Sequence, residues 1–261
     1  MNFTKIIKCP LCQSDAKSLW PAVRVCKCSS CNLLFRYPIS SPDELKILYE
    51  TSWSNPIKEI EETGATSSEL AHDYVSEIAK SLGIKDLKGL RILDYGAGRG
   101  AMMKALIDAG AEVYGIDPFG FEFLRANGYK VFRSPKELPD GIQFYGIVSL
   151  DVIEHLDHPW EDYRIMREFL HENGWLYIST PNATGINARF YRTKWREIAN
   201  RGHLFFFSPI TFERVLNKSG YKDIKRLKWF INYRRGFVIL VFHRLFQYLQ
   251  IDGELRYLVF K

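Results

Sequence analysis

The chain has 261 residues, of which 46% are apolar and 25% are charged, and its formal net charge is +6. These values are ordinary for a folded globular protein and exclude a disordered or low-complexity chain. No apolar run approaches the roughly 18–20 residues that a membrane-spanning helix needs. The first eight residues lack the apolar core of a signal peptide, so we expect a cytoplasmic location.

The first predicted unit is a cysteine cluster, because all five cysteines lie between residues 9 and 31. Two Cys-x2-Cys pairs, separated by 15 residues, have the spacing of a four-thiolate zinc site, and iron or an empty site are the alternatives. Four protein ligands leave no open position, so the metal is predicted to be structural. A segment of about 35 residues has little core, so zinc would supply its folding energy. The predicted ligands are Cys9, Cys12, Cys28 and Cys31, with Cys26 as a spare that could replace Cys28.

Apolar periodicity and turn residues predict alternating helices and strands along the rest of the chain. The predicted helices are 42–49, 68–82, 100–109, 121–127, 159–173 and 208–219. The predicted strands are 90–94, 112–117, 129–132, 145–150, 175–180, 221–229 and 237–242. Repeated β–α units indicate an α/β fold, a doubly wound and mostly parallel seven-stranded sheet with helices on both faces.

The chain divides into three predicted zones. Residues 1–37 form the cysteine-rich, basic, zinc-ribbon-like module, and the proline-containing residues 38–66 form a connector that could fold over a neighbouring part. Residues 67–261 form the α/β domain. The aromatic segment 246–260 could cover either its own core or a neighbouring subunit, so an oligomer is possible.

The most informative segment is the glycine loop at residues 92–100, Ile-Leu-Asp-Tyr-Gly-Ala-Gly-Arg-Gly, which follows a predicted strand and opens a predicted helix. Gly96, Gly98 and Gly100 allow a tight turn and a close backbone approach to a ligand. Asp117 lies 17 residues beyond Gly100, at the end of the next predicted strand. A carboxylate at that position can accept both hydroxyl groups of a ribose. A purely structural turn and a dinucleotide site are the alternatives.

Residues 90–181 resemble the class I S-adenosylmethionine (SAM)-dependent methyltransferases, in particular ubiquinone-biosynthesis and sugar methyltransferases. Beyond the glycine loop, the resemblance includes the strand and exit at 148–156 (Val-Ser-Leu-Asp-Val-Ile-Glu-His-Leu). Segments 177–182 and 203–209 match the family as well, and the likeness covers nearly all of 67–242. Many relatives carry Phe-Asp where this chain has Phe144-Tyr145, a difference at the start of a strand.

The resemblance implies a Rossmann-like methyltransferase domain that binds SAM and releases S-adenosylhomocysteine. In this family the first acid, Asp94, orients the methionine end of SAM, and Asp117 holds the ribose. The implied cofactor-binding set is Asp94, Gly96, Ala97, Gly98, Gly100, Asp117, Pro118, Leu150 and Asp151. The cysteine module resembles the zinc-binding N-terminal segments of some sugar C-methyltransferases.

Methyl transfer from a sulfonium needs mainly alignment, and it needs a base only if the acceptor must lose a proton. His155 and His203 are the candidate catalytic residues, because both are predicted to lie at the carboxyl edge of the sheet, where ligands bind in such folds. Each could instead be a purely structural hydrogen-bonding residue.

The positively charged segments of the chain bear on the class of methyl acceptor. Residues 1–36, 189–201 and 222–235 each carry a clear excess of positive charge, which is compatible with a solvated surface or with an anionic ligand. We predict a small-molecule acceptor, a nucleotide-linked or phosphorylated sugar or a related intermediate. The alternatives are an RNA methyltransferase, with the zinc module and basic segments binding the backbone, and a non-catalytic SAM-binding regulator.

Overall fold

The computed structural model of the protein describes residues 6–53, 68–227 and 251–261, together with residues 246, 248 and 249. Its described strands, in chain order, are β1 (Ile7–Lys8), β2 (Asp15–Trp20), β3 (Val25–Cys28), β4 (Leu34–Arg36), β5 (Arg91–Tyr95), β6 (Glu112–Ile116), β7 (Val131–Phe132), β8 (Phe144–Leu150), β9 (Leu170–Pro181), β10 (Phe205–Phe206), β11 (Asp223–Arg226) and β12 (Glu254–Phe260).

The described α-helices are α1 (Pro42–Trp53), α2 (Ser68–Leu82), α3 (Ala101–Asp108), α4 (Phe121–Ala126), α5 (Pro159–Phe169), α6 (Ile186–Tyr191), α7 (Arg196–Ala199) and α8 (Pro209–Lys218). Short 3-10 turns occur at Pro21–Val23, Pro135–Glu137, Ile153–His155 and Arg192–Lys194. Among the described helices none combines the length and apolarity that crossing a membrane requires.

The larger sheet has seven strands in the order β11-β12-β9-β8-β5-β6-β7. The five strands from β9 to β7 are parallel, whereas β12 is antiparallel to both of its neighbours. The predicted α/β, doubly wound and mostly parallel fold is therefore confirmed. Successive side chains of the central strand β5 serve opposite faces, since Ile92 packs in the core with α2 and α3, and Leu93 packs in the core with α5 and α8.

Two elements near the C-terminus differ from prediction. The predicted strand 237–242 lies outside the described residues, and the segment that enters the sheet is Glu254–Phe260, between β9 and β11. This places part of the predicted covering segment 246–260 inside the chain's own sheet, where Leu255, Tyr257 and Leu258 are fully buried. The strand predicted over 221–229 spans only Asp223–Arg226 in the structure, which describes that range as far as residue 227.

The helix predicted over 159–173 was wrong at its last four residues, 170–173. Helix α5 ends at Phe169, and Leu170 takes an extended conformation and pairs with Phe144 of β8. Leu170 is fully buried in the sheet core, and that burial stabilises the extended form over another helical turn.

A second sheet joins the N-terminal module to the rest of the protein. Its order is β1-β2-β3-β4-β10, so four strands come from the cysteine-rich segment and one from the α/β part. The pairing places Phe205 opposite Phe35 and Phe206 opposite Leu34. The module is thus built onto the segment that precedes helix α8.

Candidate functional site

Three parallel strands bring the predicted cofactor-binding residues to one edge. Strands β8, β5 and β6 are neighbours in the sheet, so their carboxyl ends meet. Asp94 lies near the end of β5, Asp117 directly follows β6, and Leu150 ends β8. Ligands of open α/β sheets bind at this edge, beside the point where the strand order reverses.

The glycine loop connects β5 to α3 in a left-handed backbone conformation. Gly96, Gly98 and Gly100 have φ values of +83°, +51° and +83°. The N–H groups of Gly96 and Ala97 both donate to the carbonyl of Ile116, at 2.8 and 3.1 Å. A side chain at Gly98 would meet no atom within 4 Å, so the loop backbone faces open space there. This is the approach surface that a ligand needs.

Asp117 ties the glycine loop to the loop after β6. One carboxylate oxygen accepts the N–H of Gly98 at 2.8 Å, and the other accepts those of Phe119 and Gly120, at 2.9 and 2.6 Å. A carboxylate at this position is the kind of group that can accept hydrogen bonds from ribose hydroxyls, because each of its oxygens has two acceptor positions. Pro118, the next residue, is exposed.

Asp94 is the buried acid of this edge, only 2% exposed. Its Oδ2 atom is buried without a hydrogen-bond partner among the described residues. Burial, followed by the negative charge of Asp117, raises the pKa of Asp94 from 3.8 to about 7. An unsatisfied buried carboxylate oxygen is costly, and an ammonium group of a ligand would satisfy it. The residues present therefore fit the methionine end of SAM.

Leu150 and Asp151 form the exit of β8. Leu150 is partly buried, and Asp151 is exposed with a φ of +53°. The hydroxyl of Ser179 lies 3.4 Å from Asp151 Oδ1 and donates to it. The non-glycine left-handed conformation reverses the chain so that the 3-10 turn at Ile153–His155 follows at once.

The two candidate catalytic histidines are neighbours in space although they are 48 positions apart in sequence. The rings of His155 and His203 are 4.5 Å apart between centroids, at an interplanar angle of 83°. Burial lowers the pKa of His155 from 6.5 to about 4. Burial also lowers the pKa of His203 well below its usual value, with a further contribution from His155. Both imidazoles are therefore neutral near pH 7.

The surroundings of these histidines include residues that the sequence prediction missed. Glu154 is 1% exposed and accepts a hydrogen bond from Thr180 Oγ1 at 3.0 Å. Tyr49, in connector helix α1, has its hydroxyl 2.8 Å from His155 Nδ1, and its ring lies 4.8 Å from that of Phe119 between centroids, tilted by 37°. Glu154 stood inside the recognised 148–156 motif, whereas nothing in the connector's sequence pointed to Tyr49.

The four predicted metal ligands come together in the N-terminal module. The sulfur atoms of Cys9, Cys12, Cys28 and Cys31 all lie within 4.8 Å of one another, and Cys26 is not part of that group. Two sulfur pairs, Cys9 with Cys31 and Cys12 with Cys28, are 3.6 and 3.5 Å apart. A tetrahedron with zinc–sulfur bonds of ~2.3 Å needs about 3.8 Å between sulfurs.

Main-chain hydrogen bonds to sulfur strengthen this fit. The N–H groups of Ser30 and Cys31 both donate to Cys28 Sγ, at 3.4 and 3.3 Å. These bonds hold the Cys28 sulfur in its position within the group of four. The donor set therefore suits zinc.

The basic segment 189–201 forms an exposed surface beside the site. Its five cationic residues are all exposed: Arg189, Arg192, Lys194, Arg196 and Arg201. Phe190 and Tyr191 are 79% and 53% exposed in the same segment. Most of the basic segment 222–235 lies outside the described residues.

The chain is similar to one known family and to several known proteins. The family described as "Methyltransferase domain" matches residues 67–226. A ubiquinone biosynthesis O-methyltransferase of Azorhizobium caulinodans is 29% identical over 155 residues, which are 53% of this chain and 61% of that protein. A tRNA U34 carboxymethyltransferase of Ectopseudomonas mendocina is 32% identical over 152 residues, 54% of this chain and 47% of that protein. The chain thus spans about half to three-fifths of these relatives.

Solved structures share the fold at low sequence identity. A SAM-dependent methyltransferase from Archaeoglobus fulgidus aligns with a TM-score of 0.54 at 20% identity, covering 75% of this chain and 95% of that one. The 1,6-didemethyltoxoflavin-N1-methyltransferase of Burkholderia thailandensis aligns with a TM-score of 0.54 at 15% identity, covering 89% and 97%.

Proposed function

Because the chain belongs to the methyltransferase-domain family, we propose that it transfers a methyl group from SAM to a small-molecule acceptor. The acceptor class is a nucleotide-linked or phosphorylated sugar, or a related biosynthetic intermediate. The observation that carries the proposal is the edge where β8, β5 and β6 end, with an unsatisfied carboxylate oxygen on Asp94 beside an open glycine loop.

Each residue of this edge has a proposed task. SAM, when bound, supplies a methyl group already activated by a sulfonium sulfur. Asp94 binds the ammonium of the methionine part, the loop from Gly96 to Gly100 lies along the ligand, and Asp117 accepts hydroxyl groups of the ribose. Leu150 and Asp151 border the bound cofactor at the exit of β8. Holding donor and acceptor in line supplies the larger part of catalysis, about 7–11 kcal/mol in favourable cases.

His155 and His203 remain proposed catalytic residues on the acceptor side. Both are neutral at pH 7, so either nitrogen lone pair can accept a proton from the acceptor. A base with a pKa near 4, as at His155, holds that proton weakly and must release it quickly.

The exposed basic segment 189–201 supports an anionic acceptor. Arg192, Lys194 and Arg201 carry no side-chain ion pair among those found in the described residues, so they are able to bind phosphate oxygens. Exposed Phe190 and Tyr191 could stack on a nucleobase. We expect Arg192→Glu to raise the KM for a phosphorylated acceptor more than tenfold while leaving S-adenosylhomocysteine binding unchanged.

One observation favours an RNA acceptor as the second candidate. The same basic and aromatic segment suits an RNA strand, and one relative is a tRNA U34 carboxymethyltransferase. Salt separates the two candidates, because a protein that neutralises several RNA phosphates loses affinity steeply between about 50 and 200 mM salt. A small phosphorylated acceptor makes fewer contacts and should depend on salt less.

We also propose a zinc-binding module at residues 1–37, a connector at 38–66 and the methyltransferase domain at 67–261. Support for the first comes from the four sulfurs, which all lie within 4.8 Å of one another, with two pairs at 3.6 and 3.5 Å. The zinc would be structural, and the cytoplasmic location stays a prediction.

The decisive experiment is calorimetric titration with S-adenosylhomocysteine, followed by transfer of a labelled methyl group from SAM to nucleotide sugars, sugar phosphates and tRNA. We expect micromolar binding that Asp117→Ala weakens at least 100-fold, while Asp86→Ala, an exposed control acid, leaves it unchanged. Absence of binding to folded, zinc-loaded protein would overturn the proposal. Binding without transfer to any acceptor would favour the non-catalytic regulator.

A further inference from the structure

Three arginines meet where the cysteine module joins the α/β part of the chain. Arg24 directly precedes β3, and Arg36 is the last residue of β4. The carbonyl of Arg24 accepts the N–H of Tyr37, the residue after Arg36, at 2.8 Å. Arg36 donates from Nη2 to the carbonyl of Asn200 at 2.8 Å, and Arg201 is the next residue in sequence. These hydrogen bonds bring the main chain of Arg201 next to that of the module.

The side chains of these arginines are close enough to repel one another. Burial, followed by the positive charges of Arg201 and Arg24, lowers the pKa of Arg36 from 12.5 to about 10. The guanidinium of Arg36 is therefore still charged at pH 7. Arg36 is 7% exposed, whereas Arg24 and Arg201 are exposed to solvent. Two exposed cations thus lie beside a third cation that is buried.

The charges of this arginine group are not balanced by acids. Among the residues that the structure describes, none of the three arginines forms an ion pair, and the charges that act on Arg36 are both positive. Glu197, on the neighbouring helix α7, pairs with Arg196 at 3.0 Å and lies 3.5 Å from His203 Nδ1. Like charges that are crowded together, one of them buried, are costly without a counter-ion. The arginine group therefore favours binding of an anion.

The chemistry of the two exposed side chains suits phosphate. A guanidinium presents its N–H groups in a planar fork that can bind two oxygens of one phosphate. The main chain of Arg24 is also held on both sides, because its N–H donates to the carbonyl of Pro21 at 3.1 Å and its carbonyl accepts from Tyr37. This main chain therefore loses little freedom when a ligand binds.

The segment 201–203 connects the arginine group to the candidate catalytic histidines. Arg201 is two residues from His203, and two residues span at most about 7 Å. The carbonyl of Gly202, between them, lies 3.0 Å from His155 Nδ1. An acceptor whose phosphate is bound at Arg201 therefore lies beside the histidines.

We propose that Arg24 and Arg201 together bind one phosphate or diphosphate group of the methyl acceptor, beside the buried charge of Arg36. The inference rests on the proposed function and adds a residue of the cysteine module to the acceptor site. One of the two arginines comes from the module and the other from the α/β part, so the site is complete only when the two are packed together. The bound phosphate supplies the negative charge that the arginine group lacks.

Pyrophosphate is the probe, because it carries the phosphate chemistry alone and its binding needs no SAM. It is titrated calorimetrically, at low salt, into the zinc-loaded full chain. We expect one site per chain, weakened at least fivefold by Arg24→Gln and by Arg201→Gln, since hydrogen bonds to charged groups are lost. Both side chains contact the same group, so the double variant should lose less than the product of the two single losses. Lys27→Gln and Arg214→Gln, which remove exposed cations of the module and of helix α8, should bind as the original chain does.

A nucleotide sugar and tRNA then identify the source of the phosphate. Whichever of them is the acceptor should displace pyrophosphate and lose affinity in the Arg24→Gln and Arg201→Gln variants. A steep dependence of that affinity on salt marks tRNA, and a shallow one marks the small molecule.

Circular dichroism and zinc content identify variants that fail to fold. If Arg24→Gln fails, Arg24→Lys takes its place, because it keeps the charge and loses only the planar fork, and it should still weaken pyrophosphate. Absence of pyrophosphate binding by the folded original chain, or unchanged binding by either single variant, would overturn the composite site. Failure to bind S-adenosylhomocysteine would overturn the proposed function instead, and the pyrophosphate result would still stand by itself.

Discussion

The guanidinium of Arg36 donates from Nε to the main-chain carbonyl of His203, at 2.8 Å. Its other nitrogens donate to the carbonyls of Val23, Ile198 and Asn200, at 2.7–2.8 Å. One buried side chain of the cysteine module thus binds the end of helix α7, at Ile198, and the segment from Asn200 to His203. These hydrogen bonds connect the module to the segment that carries a candidate catalytic histidine.

Replacing Arg36 with Met should separate these two parts. Buried carbonyls left without a donor cost about 1–3 kcal/mol each before relaxation, so we expect a loss of about 3 kcal/mol in the free energy of unfolding. Hydrogen exchange should accelerate at 196–206, while S-adenosylhomocysteine affinity changes less than twofold. Lys27→Met, an exposed cation of the same module, is the control. Unchanged exchange at 196–206 in Arg36→Met would contradict the connection.

Cysteine variants test the metal ligands of the module. Cys28→Ser should abolish stoichiometric zinc and destabilise residues 6–36, because zinc binding is the main source of folding energy there. Cys26→Ser should retain one zinc per chain, since its sulfur lies outside the group of four. Zinc is measured with a colorimetric chelator after unfolding. If Cys26→Ser loses its zinc and Cys28→Ser keeps it, Cys26 and not Cys28 is the ligand.

Alanine variants at two glycines with the same backbone conformation distinguish the cost of backbone strain from the cost of steric overlap. Gly96 and Gly128 have φ values of +83° and +82°, so alanine at either position costs about 1–2 kcal/mol of backbone strain. A Cβ at Gly96 would overlap Val152, whereas one at Gly128 would meet nothing within 4 Å. We expect Gly96→Ala to lose a further ~1–3 kcal/mol from overpacking.

We expect the affinity for S-adenosylhomocysteine to differ between the same two variants. Gly96→Ala displaces the glycine loop and should weaken S-adenosylhomocysteine at least tenfold, and Gly128→Ala should not. Equal affinities for the two variants would show that the loop does not contact the ligand.

The raised pKa of Asp94, about 7, predicts a proton released on ligand binding. In the free protein, the raised pKa of Asp94 adds to the free energy of unfolding below about pH 4. This contribution is lost as the pH rises through 7. An ammonium group near Asp94 favours the ionised form, so binding at about pH 6 should release close to one proton, and binding at pH 8 almost none.

Calorimetry in two buffers with different ionisation enthalpies measures this proton directly. Asp94→Asn should bind S-adenosylhomocysteine more weakly and release no proton at either pH. If the original chain releases no proton at pH 6, the ammonium does not approach Asp94.

The sequence predicted the parallel core well because its local signals agree with its tertiary structure. Helix α2 has the predicted bounds, 68–82, since its apolar period matches the face that packs on the sheet. Strands β5, β6 and β8 were found within one residue at each end. Their buried β-branched residues and the glycine that follows β5 leave few alternatives. The grouping of acids at one edge then follows from parallel strand order.

Contacts between distant segments could not be predicted in this way. Tyr49 reaches His155 across 106 residues, and Arg36 reaches His203 across 167. Neither residue belongs to a motif, because each acts through the position of its helix or strand. Strand β12 was missed for a related reason. Its sequence, Glu-Leu-Arg-Tyr-Leu-Val-Phe, is apolar on both faces in its second half and has no strict alternation.

Strand β12 also sets the order in which the sheet can be assembled on the ribosome. Among the described strands, β11 pairs with β12 alone, although β11 is synthesised first. At about 5–20 residues per second, the gap between residues 226 and 254 corresponds to roughly 1–6 s of translation. During that interval β9 presents an unpaired edge that can associate with other nascent chains. Slow decoding between these residues should therefore increase aggregation during synthesis, even though it changes no contact of the finished protein.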